Sequence, residues 1–120
     1  MKKPATAMDE DLPVFVHWMG FLDWLLDATE KFPKHVRFTI STRIENLALD
    51  IVENLVEARY AREKSAILQR ANLRLEKIRV LLRISHDRQY LSRKGYLHAM
   101  KAVKETGRML GGWIKQQETR

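Results

Sequence analysis

Apolar residues recur along most of this chain at alternating steps of three and four, which is the spacing of one face of an α-helix. Residues 65–87 show this spacing most clearly, and they contain neither Gly nor Pro. Their main apolar seam consists of Leu68, Ala71, Leu75, Ile78 and Leu82. A second apolar set, Leu73, Val80 and Ile84, lies roughly 180° from the first at about 100° per residue. We therefore expect a helix with the protein core on one side and a second apolar contact on the other.

The same spacing predicts four helices in all, at residues 12–32, 35–62, 65–87 and 92–116. Pro33 disfavours helical backbone at Phe32 and so separates the first two helices. The turn before the third helix falls in the charged residues 59–64, and residues 86–95 connect the third helix to the fourth. The candidate N-cap residues of the first, third and fourth helices are Asp11, Ser65 and Ser92.

The arrangement of these helices follows from the short connections between them. No segment alternates apolar and polar residues with period two, so no strand is predicted. We expect an all-α, antiparallel up-down-up-down four-helix bundle in residues 12–116, after a flexible, acidic tail at residues 1–11. A chain of 120 residues can bury the core of such a bundle as one domain.

Glycines in the fourth helix carry further expectations. Gly95 is a poor helix former in the first turn, and the glycines at 111–112 are expected to interrupt the last turn. Gly107 falls within the apolar seam, where the absent side chain would let a neighbouring helix come close.

Charge is distributed unevenly along the chain. The net charge is +7, but residues 1–58 carry six Lys/Arg and ten Asp/Glu, whereas residues 59–120 carry sixteen Lys/Arg and five Asp/Glu. The first part therefore has a net charge of −4 and the second a net charge of +11. This uneven charge favours an anionic partner for the second half, and nucleic acid is the leading candidate. The alternative is a basic surface that binds nothing.

Several classes of protein are disfavoured by the composition. The chain has no Cys, which excludes disulfides and thiolate chemistry and is compatible with a reducing cytoplasm. Its first residues do not form a secretory signal, and no run of about 18 apolar residues could span a membrane. We expect a cytoplasmic protein with no membrane partner.

The third helix carries the first group of candidate nucleic-acid-binding residues, Arg70, Arg74, Lys77, Arg79 and Arg83. The first three align at helical spacing, whereas the last two lie on the opposite flank. Arginine is suited to phosphate because its planar guanidinium can form two parallel hydrogen bonds. The alternatives are a solvated charged face, or salt bridges with the acidic first half across a subunit interface.

The fourth helix carries the second group, Arg93, Lys94, Lys101, Lys104 and Arg108. The last three are spaced to form a basic ridge. Tyr90 and Tyr96 lie nearby and could stack on unpaired bases, or could instead be half-buried at a helix junction. Arg108 could alternatively hold an ion pair between subunits.

No constellation of residues predicts catalysis, a metal or a cofactor. The four histidines, His17, His35, His86 and His98, lack the spacing of metal ligands, and no HExxH motif occurs. No Gly-rich phosphate loop follows a strand, and the carboxylate pairs read as solvated faces or as partners for basic residues elsewhere. We therefore expect a protein that is not an enzyme.

Two segments resemble a known family. Residues 105–115, ETGRMLGGWIK, resemble the C-terminal signature of the small "four helix bundle protein" family. That family includes proteins encoded by intervening sequences of large-subunit ribosomal RNA genes, and the accessory variability determinant (Avd) of diversity-generating retroelements. Residues 73–83, LRLEKIRVLLR, followed by Asp87, are similar to the corresponding Avd segment. The resemblance covers about residues 12–116.

The resemblance implies an assembly and a set of partners. It implies a ring or barrel-like homo-oligomer, a homopentamer, whose protomers present a basic surface, and Leu73, Val80 and Ile84 are the candidate interface residues. It also implies a partner reverse transcriptase, a template RNA with its cDNA, and a non-catalytic role in mutagenic reverse transcription. The alternative within the family is an oligomeric interaction bundle of the ribosomal intervening-sequence type, without a polymerase partner.

Overall fold

Four α-helices make up most of the computed structural model, which describes residues 12–118. They are α1 (Pro13–Glu30), α2 (Thr42–Tyr60), α3 (Ser65–Asp87) and α4 (Arg93–Glu118), with a 3₁₀ turn (Lys34–Val36) and a π-helical turn (Arg37–Ser41) between α1 and α2. No strand occurs in this part of the chain. The predicted tail and the candidate N-cap Asp11 lie outside the described residues.

The helices form a four-helix bundle in which neighbours run antiparallel. Helix α3 packs against α2 and α4, and α1 packs against the same two helices from the other side. Thr29 near the end of α1 donates a 2.7 Å hydrogen bond to Glu45 near the start of α2. Phe32, just after α1, contacts Tyr90, just before α4. The all-α four-helix prediction is therefore confirmed, and no helix within residues 12–118 is long and apolar enough to cross a membrane.

The core contains the residues that the apolar spacing places inside. All five residues of the main seam of α3 are fully buried. The fully buried apolar residues of α2 and α4 include Ile44, Ile51, Leu55 and Ala58, and Val103 and Leu110. Trp18 of α1 is also fully buried, and its indole Nε1–H donates to the Ala48 carbonyl of α2 over 3.0 Å. Gly107 faces Leu75, but a Cβ atom there would lie at an ordinary 3.5 Å from the Leu75 Cδ2 atom. The spacing between α3 and α4 therefore does not depend on this glycine.

Helix α2 begins at Thr42, seven residues after the position that the apolar spacing predicts. The intervening residues form the 3₁₀ and π turns instead of a regular helix. The Thr39 hydroxyl donates to the Val36 carbonyl and the Thr42 hydroxyl to the Arg37 carbonyl. Such side-chain hydrogen bonds offer backbone carbonyls a partner other than the regular helical N–H.

The end of α2 is closed by a side chain that the apolar spacing does not reveal. Lys64 extends its ammonium group back to the end of α2, where it donates to the carbonyls of Ala58 (2.8 Å) and Ala61 (2.6 Å). Lys64 also occupies the N-cap position of α3. The prediction of Ser65 as N-cap is therefore wrong, because the backbone is already helical at Lys64 and Ser65 is the first residue of α3.

The connection between α3 and α4 is a tight turn around Gln89, which has a positive φ of 66°. The Tyr90 N–H donates to the Ser85 carbonyl (2.8 Å) and the Gln89 N–H to the His86 carbonyl (2.9 Å). This pair of bonds is a Schellman motif, in which glycine is the usual residue at the position of Gln89.

The start of α4 is capped as predicted. The Ser92 hydroxyl accepts a 3.0 Å hydrogen bond from the Gly95 N–H. A Cβ atom at Gly95 would lie 3.0 Å from the Leu91 Cδ1 atom and 3.2 Å from the capping hydroxyl. The cap therefore leaves little room for a side chain, which accounts for a glycine in this turn.

Candidate nucleic-acid interface

The outer face of α4 carries a row of exposed cations, Lys94, Lys101, Lys104 and Arg108, here named the α4 ridge. The four residues recur at steps of seven, three and four, which keeps them on one side of the helix. The buried residues of α4, Ala99, Val103, Thr106 and Leu110, occupy the opposite side. Burial of that apolar side therefore orients the ridge toward solvent.

Arg108 is held within its own helix. Its Nε–H donates to Glu105 Oε2 over 3.0 Å, and its Nη2 group donates to Glu105 Oε1. This hydrogen-bonded pair holds the pKa of the Glu105 carboxyl below its usual range and raises the pKa of Arg108. The pair is exposed, and an exposed ion pair is weak enough for an incoming phosphate to compete with it.

A groove of about 540 Å³ runs beside the ridge toward α1. Lys101, Lys104 and Arg108 line it together with His17 and His98. His17 Nε2 lies 3.2 Å from the Ala102 carbonyl oxygen, to which it donates in the Nε2-protonated tautomer. The groove therefore has the three cations and His98 on its α4 side, and His17 on its α1 side. Arg93 is exposed as well and lies at the edge of the ridge, about 20° around the helix from Lys104 at about 100° per residue.

The five cations of α3 do not form one surface. Arg74 is directed at α2, where its Nη1 group donates to Asn54 Oδ1 over 2.9 Å and its Nε lies 3.7 Å from an Asp50 oxygen. Arg79 lies 3.5 Å from the Glu76 carboxylate one turn earlier in α3. Arg70, Lys77 and Arg83 are exposed and have no ion pair within residues 12–118.

The cations of α3 flank an apolar stripe that points away from the core. Leu73, Val80 and Ile84 are between 39% and 57% exposed, although they lie in the middle of a well-formed helix. Val80 and Lys77 also line a groove of about 660 Å³ between α2 and α3. This outward surface of α3 is thus apolar at its centre and basic at its edges.

The two tyrosines beside α4 pack inside the helix junction. Tyr96 stacks on His86, with ring centroids 4.6 Å apart and an interplanar angle of 18°. Tyr90 contacts the rings of Phe32 and His35, each at 6.0 Å. Both side chains are half-buried, so neither is a free platform for base stacking. No three His, Cys, Asp or Glu side chains come together as a metal site in the part of the chain that the structure describes.

Comparison with known proteins gives one family match. A family model described as bAvd-like matches residues 17–117, which include almost all of the bundle and the whole α4 ridge. The chain belongs to the bAvd-like family. The resemblance to Avd proteins inferred from the two sequence segments is therefore confirmed. A search of curated proteins finds no match to this bAvd-like chain.

The glycine-containing segment of this bAvd-like protein lies within α4. The prediction that the glycines at 111–112 interrupt the helix is wrong, because α4 continues to Glu118. Trp113 and Ile114 pack against the core on the other side of the helix. Met109 and Trp113 meet Leu12 and Val14 around a groove at the start of α1. Packing of these apolar side chains stabilises the end of α4 and offsets the glycines, each of which destabilises a helix by roughly 1 kcal/mol relative to Ala.

Proposed function

We propose that this bAvd-like protein is a non-catalytic accessory protein of a diversity-generating retroelement. It binds the reverse transcriptase and the template RNA or cDNA, and it supports mutagenic reverse transcription. Membership of an Avd-type accessory family supports the role. The observation that carries the nucleic-acid part is the α4 ridge, whose cations lie together on the solvent side of one helix.

The ridge is suited to a phosphate backbone rather than to a base sequence. Lys94 and Arg108 are fourteen residues apart, which corresponds to about 21 Å along a helix and reaches several successive phosphates. Lysine ammonium groups on flexible stems contact phosphates without selecting bases. Two further candidate cations, Arg93 on α4 and Arg83 on α3, are also exposed and extend the contact along the α3–α4 side.

The proposal includes assembly into a ring-shaped homo-oligomer, a homopentamer. The exposed stripe of Leu73, Val80 and Ile84 supports this assembly, since an outward row of apolar side chains bordered by charged residues is typical of a protein contact surface. Every copy in a ring contributes one α4 ridge. Several ridges acting on one RNA would bind more tightly than one, because each later contact is intramolecular.

Co-purification tests the proposed function directly. The tagged protein is expressed with the reverse transcriptase of the proposed retroelement and isolated with and without ribonuclease treatment. We expect the polymerase to be retained after the RNA has been digested, and the ribonuclease-free sample to contain template RNA as well.

A protein that oligomerises but retains no polymerase contradicts the proposal. That result would indicate the interaction bundle of the ribosomal intervening-sequence type. The genomic neighbourhood gives an independent comparison, since a retroelement carries a reverse-transcriptase gene and a pair of near-identical repeats.

A further inference from the structure

Helix α2 has an outward apolar stripe of its own, formed by Leu49, Val56 and Tyr60. These residues are between 38% and 71% exposed, and they lie opposite the buried seam of the helix. Glu53 falls between them at helical spacing, and Glu57 lies beside them. The α2 stripe, defined as these five residues, therefore alternates apolar and acidic side chains.

The outward surface of α3 has the same construction with the opposite charge. Its α3 stripe consists of Arg70, Leu73, Lys77, Val80 and Ile84, all exposed and all on one side of the helix. The charged members of the two stripes, Glu53, Glu57, Arg70 and Lys77, have no ion pair with one another or with other residues of the described bundle. Each protomer thus carries an acidic apolar stripe and a basic apolar stripe of complementary composition.

We propose that the α2 stripe of one copy packs against the α3 stripe of the next copy. This inference rests on the homo-oligomer of the proposed function and names the two surfaces that form it. Glu53 and Glu57 then lie against Arg70 and Lys77, while the apolar residues of both stripes bury one another. The stripes are of comparable length, at about 16.5 Å from Leu49 to Tyr60 and about 21 Å from Arg70 to Ile84.

The charges decide which stripes pair. Two α3 stripes in contact would bring cations together, and two α2 stripes would bring carboxylates together, which costs binding free energy. A contact between unlike surfaces is heterologous, and its repetition closes into a ring when the rotation between copies allows it.

A second copy fits the α3 stripe better than RNA does. A phosphate backbone would satisfy Arg70 and Lys77 but would leave Leu73, Val80 and Ile84 in water, whereas the α2 stripe covers both kinds of side chain. Arg70 and Lys77 are therefore assigned to the contact between copies, and the α4 ridge remains for nucleic acid.

Charge reversal tests this pairing on the purified full-length chain. Variant one is Glu53→Lys with Glu57→Lys, variant two is Arg70→Glu with Lys77→Glu, and variant three combines all four changes. Mass is measured by light scattering at one protomer concentration and salt, and helicity by circular dichroism. Asp23→Lys with Asp27→Lys is the matched control, because it reverses an exposed pair of acids on α1 at the same spacing as the pair on α2.

We expect the unmodified chain and the control to have one mass larger than a dimer. Variants one and two should each dissociate, with an apparent dissociation constant raised at least about 100-fold, because each places like charges in contact. Variant three should regain the oligomer, since the reversed charges match again. It should also keep the RNA affinity of the unmodified chain, because the α4 ridge is intact.

The other outcomes separate this pairing from the proposed function. A monomeric unmodified chain overturns the oligomer of the proposed function itself. An oligomer that persists in variants one and two overturns the pairing alone, and so does a folded variant three that stays dissociated. An unmodified chain that forms only a dimer overturns the ring. A variant three that assembles but loses RNA affinity overturns the assignment of Arg70 and Lys77 to the protein contact.

Discussion

Arg74→Met is expected to destabilise the bundle although Arg74 lies in the most charged stretch of α3. Asn54 is only 5% exposed, and its Oδ1 accepts the 2.9 Å hydrogen bond from the Arg74 guanidinium. Methionine keeps much of the aliphatic stem but leaves that buried acceptor without a donor, which costs about 1–3 kcal/mol. The contact with Asp50 adds at most a few tenths of a kcal/mol, because both side chains are partly exposed.

Urea unfolding at a fixed protomer concentration measures this loss. In a thermal melt, a decrease of 1 kcal/mol in the free energy of unfolding would lower the melting temperature by about 3–5 °C for a chain of this length. Arg83→Met is the matched control, since Arg83 is exposed, has no ion pair in the described bundle and should change stability by no more than about 0.5 kcal/mol.

A double variant separates the effect of the lost hydrogen bond on stability from the effect of the lost charge. Asn54→Leu combined with Arg74→Met removes both partners, and it should recover most of the stability that Arg74→Met alone loses. Equal stabilities of Arg74→Met and Arg83→Met would refute the reasoning, and Arg74 would then belong with the free cations.

Three further predictions follow from single positions. Gln89→Gly should raise the free energy of unfolding by about 0.5–1 kcal/mol, because glycine adopts positive φ without strain, and a decrease would count against the Schellman turn. Gly111→Ala should stabilise α4 by about 1 kcal/mol because its Cβ meets nothing, whereas Gly95→Ala should give no such gain; equal gains would contradict the crowding at Gly95. The Glu105 carboxyl should titrate by NMR at a lower pKa than in an Arg108→Gln variant, so that the pair persists above the usual pKa of Glu and is lost as pH falls through the lowered value. An equal pKa of Glu105 in the unmodified chain and in the variant would show that Arg108 does not lower that pKa.

Local periodicity predicted the bundle because burial repeats with the helical turn. The seam from Leu68 to Leu82 needed only this repeat, and every residue in it is buried. The start of α2 could not be found in the same way. There, Thr39 and Thr42 bond to backbone carbonyls, and apolar spacing carries no information about such bonds.

The functional surface was less accessible to sequence reasoning because it depends on distant partners. Arg74 and Arg70 look equivalent along α3, yet only Arg74 meets Asn54, which lies twenty residues away on α2. The cations of α4 were easier to place, because their spacing alone puts them opposite a buried seam. Spacing alone sets Leu49 and Val56 of α2 off the buried seam, whereas the exposure of Tyr60 was needed to complete the α2 stripe.

The salt dependence of RNA binding tests the central claim, that the outer face of α4 contacts phosphate. Affinity for single-stranded RNA is measured across a range of salt concentrations for the unmodified chain and for Lys101→Gln with Lys104→Gln. Arg37→Gln with Arg62→Gln is the charge-matched control, since both arginines are exposed and lie off the ridge. We predict weaker binding by the ridge variant and a log–log slope shallower by about 1.4 for two lost phosphate contacts, with the control unchanged. Equal slopes for the unmodified chain and the ridge variant would contradict the account.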